Sequence, residues 1–104
     1  MKAHNKLVRD NIPQIVVANG GTAQTRRIDD DAELINELTK KLIEEAHEVQ
    51  EEPSLEELAD LREVADKLLE TLGYSEQELI AAKTAKANKN GAFNNRVFLI
   101  STEG

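Results

Sequence analysis

Two pairs of acidic residues share one spacing, Glu45-x-x-Glu48 and Glu57-x-x-Asp60. On a helix, residues three apart are surface neighbours, so each pair would present two carboxylates side by side. Among 20 acids in 104 residues, one such pair alone reads as an ordinary solvated face. Angular position sets these apart. At about 100° per residue, Glu45 falls roughly 50° from the centre of its segment's apolar stripe and Glu48 roughly 110°. Glu57 and Asp60 repeat those displacements in the same rotational sense, whereas Glu44, Glu51, Glu56 and Glu63 point outward. Two antiparallel helices joining their stripes would bring both pairs to a common edge of the seam. Four carboxylates there would repel one another and raise one another's pKa values until a cation neutralised them. With no cysteine in the chain, the ligands are limited to oxygens and His, and an all-carboxylate set selects Mg²⁺, or Mn²⁺, over structural zinc. Magnesium shares its shell with phosphates and therefore directs attention to a nucleotide-like substrate.

Phosphates also need positive groups near such an acidic site. Lys83, Lys86 and Lys89 recur at helical spacing, Arg96 follows Gly91, and Lys6 and Arg9 lie near the N-terminus. Each lysine taken singly is equally well explained as a solvated side chain near a helix C-terminus. His47 projects nearly opposite its apolar stripe and reads as a surface residue. No Walker-type phosphate loop is present, and Asn19-Gly20-Gly21 is more simply a helix stop.

The elements that must carry these residues follow from periodicity and caps. Residues 6–18 read as a short helix with Asp10 or Asn11 near its cap and Pro13 in its first turn. Residues 22–28 read as a loop or short extended piece. From Asp31 to Glu51, Leu34, Ile35, Leu38, Leu42, Ala46 and Val49 form one stripe. Ser54 followed by Glu57 is a capping-box pattern opening a helix that runs to Leu72 and stops at Gly73. Its apolar set, Leu58, Leu61, Val64, Ala65, Leu68, Leu69 and Leu72, covers about half the circumference, more than one packing partner requires, and implies an oligomer. Ser75 and Glu78 repeat the pattern for a helix from Glu76 to Lys89. The run Val97-Phe98-Leu99-Ile100 reads as a strand or an extended arm. Short connections and the lack of internal repeats point to one all-α domain, residues 1–104, built as an antiparallel helix bundle.

Bulk properties agree. Aromatics are 3% of the chain, leaving an aliphatic core of modest size. The absence of cysteine, of a long apolar segment and of a signal-like N-terminus leads to the expectation of a soluble cytoplasmic protein without membrane association. A net charge of −7 argues against general nucleic-acid binding. That total conceals a division: Asp29 to Glu78 holds 18 acids and 4 bases, the remainder 2 acids and 9 bases.

Taken in order, Lys-Leu-Val-Arg-Asp at 6–10, Lys41-x-x-Glu44-Glu45-x-x-Glu48, Glu56-Glu57-Leu-Ala-Asp60 and Lys86-x-x-Lys89-x-Gly91-x-Phe93 resemble a compact, single-domain subgroup of the MazG-like all-α nucleotide pyrophosphohydrolases. That family also includes phosphoribosyl-ATP pyrophosphohydrolase. The resemblance covers nearly the whole chain. It implies Mg²⁺ ligands at Glu45, Glu48, Glu57 and Asp60, and phosphate-binding residues among Lys6, Arg9, Lys41, Lys83, Lys86, Lys89 and Arg96. It further implies a homodimer or homotetramer that splits the α–β phosphoanhydride of a nucleotide into a monophosphate and pyrophosphate. Glu44 or Glu48 would orient the attacking water. The chain departs from the subgroup at Asn11 and Gln14, where Lys and Glu are usual, and at Gly91-Ala92-Phe93 in place of Gly-Gly-Phe. The competing reading is a noncatalytic helical module that binds a nucleotide or a partner chain.

Overall fold

The computed structural model describes residues 2–104 and is all-α. Four helices follow in order: α1 (Ile12–Ala18), α2 (Asp31–Glu51), α3 (Leu55–Thr71) and α4 (Glu76–Asn90). No strand occurs among the described residues. The chain divides into two compact units, Met1–Gly73 and Tyr74–Gly104.

In the first unit α2 packs against α3. Only Glu52, Pro53 and Ser54 join them, and so short a connection returns the chain antiparallel. The seam is centred on Leu38, 3% exposed, and Val64, 9% exposed. Leu34, Ile35, Leu42 and Val49 from α2, with Leu61, Ala65, Leu68 and Leu69 from α3, flank these two as half-buried residues. Ala46, Leu58 and Leu72 belong to the same stripes by sequence but remain exposed.

Each longer helix begins where its cap dictates. Asp30 accepts from the Ala32 N–H at 3.2 Å, and Ser54 from the Glu57 N–H at 3.2 Å. Only one half of the expected capping box forms at Ser54, because the Glu57 side chain does not return to the Ser54 N–H. Ser75 completes its box: it accepts from the Glu78 N–H at 3.1 Å while its own N–H donates to Glu78 Oε1 at 3.0 Å.

Helix α1 is shorter than the sequence reading, since residues 6–9 precede it without helical structure. Pro13 explains the difference. Proline has no N–H to donate, so a helix running through it from residue 6 would lose a hydrogen bond, whereas a start at Ile12 puts Pro13 in the first turn, where none is needed. Asn11 stands at the N-cap but makes no side-chain capping bond.

In the second unit α4 ends at Gly91, whose φ of 82° is left-handed and suits glycine, and whose N–H reaches the Ala87 carbonyl at 2.8 Å. Val97 to Ile100 have no regular secondary structure, and their side chains are 74–89% exposed.

Candidate metal centre

The antiparallel return fixes which acids can meet. Counting from Pro53 at 1.5 Å per residue, Glu45 stands about 12 Å along α2 and Asp60 about 10 Å along α3, with Glu57 less than a turn nearer the connection. One carboxylate oxygen from each of Glu45, Glu57 and Asp60 lies within 4.8 Å of the other two. All three residues are partly buried. Glu48 is exposed and stands outside this group, though close enough for its charge to act on Glu45 and Glu57. The sequence reading of four converging carboxylates is thus met by three.

The basic residues of the first unit gather on the same acids. Lys6 donates to Glu44 Oε1 at 3.2 Å, and Arg9 Nη2 donates to Asp60 Oδ1 at 2.7 Å. These two pairs tie the nonhelical stretch before α1 to α2 and α3. Lys41 Nζ lies 3.5 Å from Glu44 Oε2 and 3.9 Å from Glu45 Oε1, the natural reach of a lysine one turn before two acids on a helix. Read from sequence, Lys6 and Arg9 were candidates for phosphate; in the fold they are first of all partners of carboxylates. The signal for this was the basic segment preceding an acidic centre, but sequence gave no way to pair individual residues. His47 is exposed, as its wheel position indicates. Lys83, Lys86 and Lys89 are exposed on α4, and Arg96 is exposed in the tail with a φ of 58°. These four belong to the second unit.

The electrostatics follow from these neighbours. Partial burial pushes Glu45 above its ordinary carboxylate value; Lys41 opposes this, and Asp60, Glu44 and Glu48 add to it. Glu57 is raised too, by desolvation first and then by the charges of Asp60, Glu48 and Glu45. Glu44 experiences the same desolvation, but the hydrogen bond from Lys6 and the charges of Lys41 and Lys6 outweigh it and hold Glu44 below the ordinary value. Desolvation first and like charge second both disfavour the ionised forms of Glu45 and Glu57, and a cation held between them would offset both.

The donor chemistry fits a hard divalent ion. Oxygens sharing an octahedral Mg²⁺ at 2.0–2.1 Å stand roughly 3–4 Å apart, a spacing within the limit of this group. Arg9 engages one Asp60 oxygen and leaves the other free of that bond. No protein-family model matches the chain, and no significantly similar protein was found among curated sequences or solved structures.

Proposed function

We propose that this chain is a Mg²⁺-dependent nucleotide pyrophosphohydrolase of the MazG-like kind, cleaving the α–β phosphoanhydride of a nucleoside triphosphate or similar nucleotide. The observation that carries this reading is the meeting of Glu45 from α2 with Glu57 and Asp60 from α3. The ordered motifs that resemble the family support it.

In this reading Glu45, Glu57 and Asp60 would hold the metal, with Glu48 beside them. A divalent ion bound there supplies positive charge against the charge that develops on the phosphates. Lys6, Arg9 and Lys41 pair with Glu44, Asp60 and Glu45, and donors placed beside these acids would also meet the phosphates of a bound nucleotide. Hydrolysis forms one P–O bond from water, breaks the bridging P–O bond and releases a proton that a carboxylate must accept. Of the two candidates, Glu44 is engaged by Lys6 and Lys41, which lowers its affinity for a proton. Glu48 has no ion-pair partner among the described residues, so its carboxylate is free of a competing cation and is the proposed acceptor.

The test is pyrophosphate release from a panel of nucleoside triphosphates with and without Mg²⁺. Release that requires Mg²⁺ and falls at least about 100-fold in Glu45→Ala is expected, the scale lost when a transition-state charge contact is removed. Nucleotide binding without any turnover would replace this reading with that of a noncatalytic module.

A further inference from the structure

Three cations of the first unit face the acids around Glu45, and they are not held alike. Lys6 pairs with Glu44, which stands outside the group of Glu45, Glu57 and Asp60. Lys41 reaches that group at Glu45, but its side chain is only 17% exposed and its partner's 12%, so it stays against α2 as a permanent neighbour. Arg9 alone sits on a member of the group with both sides open: its side chain is 56% exposed and that of Asp60 41%. An ion pair so exposed contributes little, and it yields to a cation that the same carboxylate binds better.

The backbone beneath Arg9 is held independently of that pair. Its carbonyl accepts from the Ile12 N–H at 3.1 Å at the entry to α1, Leu7 and Val8 are half-buried, and Lys6 moors the stretch to α2. The guanidinium can therefore leave Asp60 while the chain that carries it stays in place. Only one Asp60 oxygen accepts from Arg9, at 2.7 Å, so a second cation can reach the carboxylate through the other. Two cations on one carboxylate repel, and the repulsion displaces the one with fewer ligands. Among the described residues Arg9 has Asp60 alone, whereas an ion in the group has oxygens of Glu45 and Glu57 as well.

We propose that Arg9 is an exchangeable counter-cation of Asp60, released when a divalent ion enters the group and then free to meet an anion beside it. This rests on the reading of Glu45, Glu57 and Asp60 as a cation site. The released guanidinium is a planar fork suited to holding a phosphate by two hydrogen bonds. Cation loading and anion recognition thereby become sequential: before the ion arrives Arg9 is committed to Asp60, and afterwards it stands unpaired at the edge of the group. Arg9 is thus an opponent of the ion. A residue that merely orients a ligand behaves in the contrary way, its loss weakening metal binding about 10–100-fold.

Titration calorimetry of Mg²⁺ into wild type, Arg9→Gln and Lys6→Gln tests the exchange, at about 0.15 M salt, where charges more than ~8 Å apart are largely screened. Arg9→Gln is expected to bind Mg²⁺ about two- to fivefold more tightly than wild type, the range that an exposed ion pair spans, while Lys6→Gln changes little. In NMR the Arg9 Nε–H signal should move toward the free-arginine position on saturation with Mg²⁺, whereas that of Arg26, which pairs with Glu33, should not. Equal or weaker binding by Arg9→Gln, the same gain in Lys6→Gln, or an Arg9 signal that does not respond would overturn the exchange and leave the cation site standing. No Mg²⁺ binding by wild type and Arg9→Gln alike would remove the cation site itself, and the exchange with it.

Discussion

Glu44 and Glu45 are adjacent on α2 yet are driven in opposite directions, and the cause is which neighbours each one faces. Glu44 meets Lys6 and Lys41 and is held below its ordinary value, while Glu45, beside Glu57 and Asp60, is raised by burial first, against the opposing charge of Lys41, and then by the charges of Asp60, Glu44 and Glu48. A carboxyl raised in the folded state binds protons more readily there than in the unfolded chain. Its contribution to stability is fully present below 4.5 and is lost as pH rises through the raised folded value. Glu45→Gln removes that loss. It should therefore be more thermally stable than wild type at pH 7 without divalent ions, with the advantage shrinking as pH falls toward 4.5; an advantage independent of pH would contradict this account. Arg9→Gln breaks a partly exposed pair and should cost no more than about 1 kcal/mol in denaturant unfolding. At this scale the sequence revealed which acids belong near the seam, because wheel angle depends only on register. It did not exclude Glu48, because whether a side chain at the edge of a stripe turns in or out depends on the partner helix.

Capping motifs with the same letters act differently on different elements. Ser54-x-x-Glu57 and Ser75-x-x-Glu78 are one pattern in the sequence, but only the second closes both bonds. Glu57 serves the acidic group instead, so a residue that the local pattern assigns to α3's first turn is shared with α2. Ser54→Ala and Ser75→Ala should each cost about 1 kcal/mol. Glu78→Ala should weaken α4, whereas Glu57→Ala should not weaken α3, a difference readable as residue-level amide exchange in the first turn of each helix. Equal loss of protection in both would mean that Glu57 is a capping residue after all. Helix boundaries were legible wherever a cap or breaker stands in the sequence, as at Ser54, Gly73 and Ser75. The start of α1 was not, since the apolar residues before Pro13 fit the helical period but the missing N–H of proline overrides it. Val97 to Ile100 carry an apolar pattern that could be strand or arm, and a strand needs a partner that among the described residues they lack.

For the molecule as a whole, the division of charge along the chain is the feature with the widest reach. The acidic stretch from Asp29 to Glu78 supplies all three converging carboxylates, and the basic N-terminal flank supplies Lys6 and Arg9 to meet its acids. The all-α class was evident from an aliphatic composition with repeated caps, and no helix among the described residues is long and apolar enough to cross a membrane. Less evident was how little of that aliphatic content this chain buries by itself, because periodicity marks an apolar face without saying what covers it. The central claim is that Glu45, Glu57 and Asp60 form one cation site. Isothermal titration of Mg²⁺, with Mn²⁺ as a second probe, into wild type, Glu45→Ala and Glu57→Ala tests it directly. Saturable binding to wild type, weakened at least about tenfold by either substitution, is the predicted result. Equal affinity in all three proteins, or no binding to wild type, would contradict it.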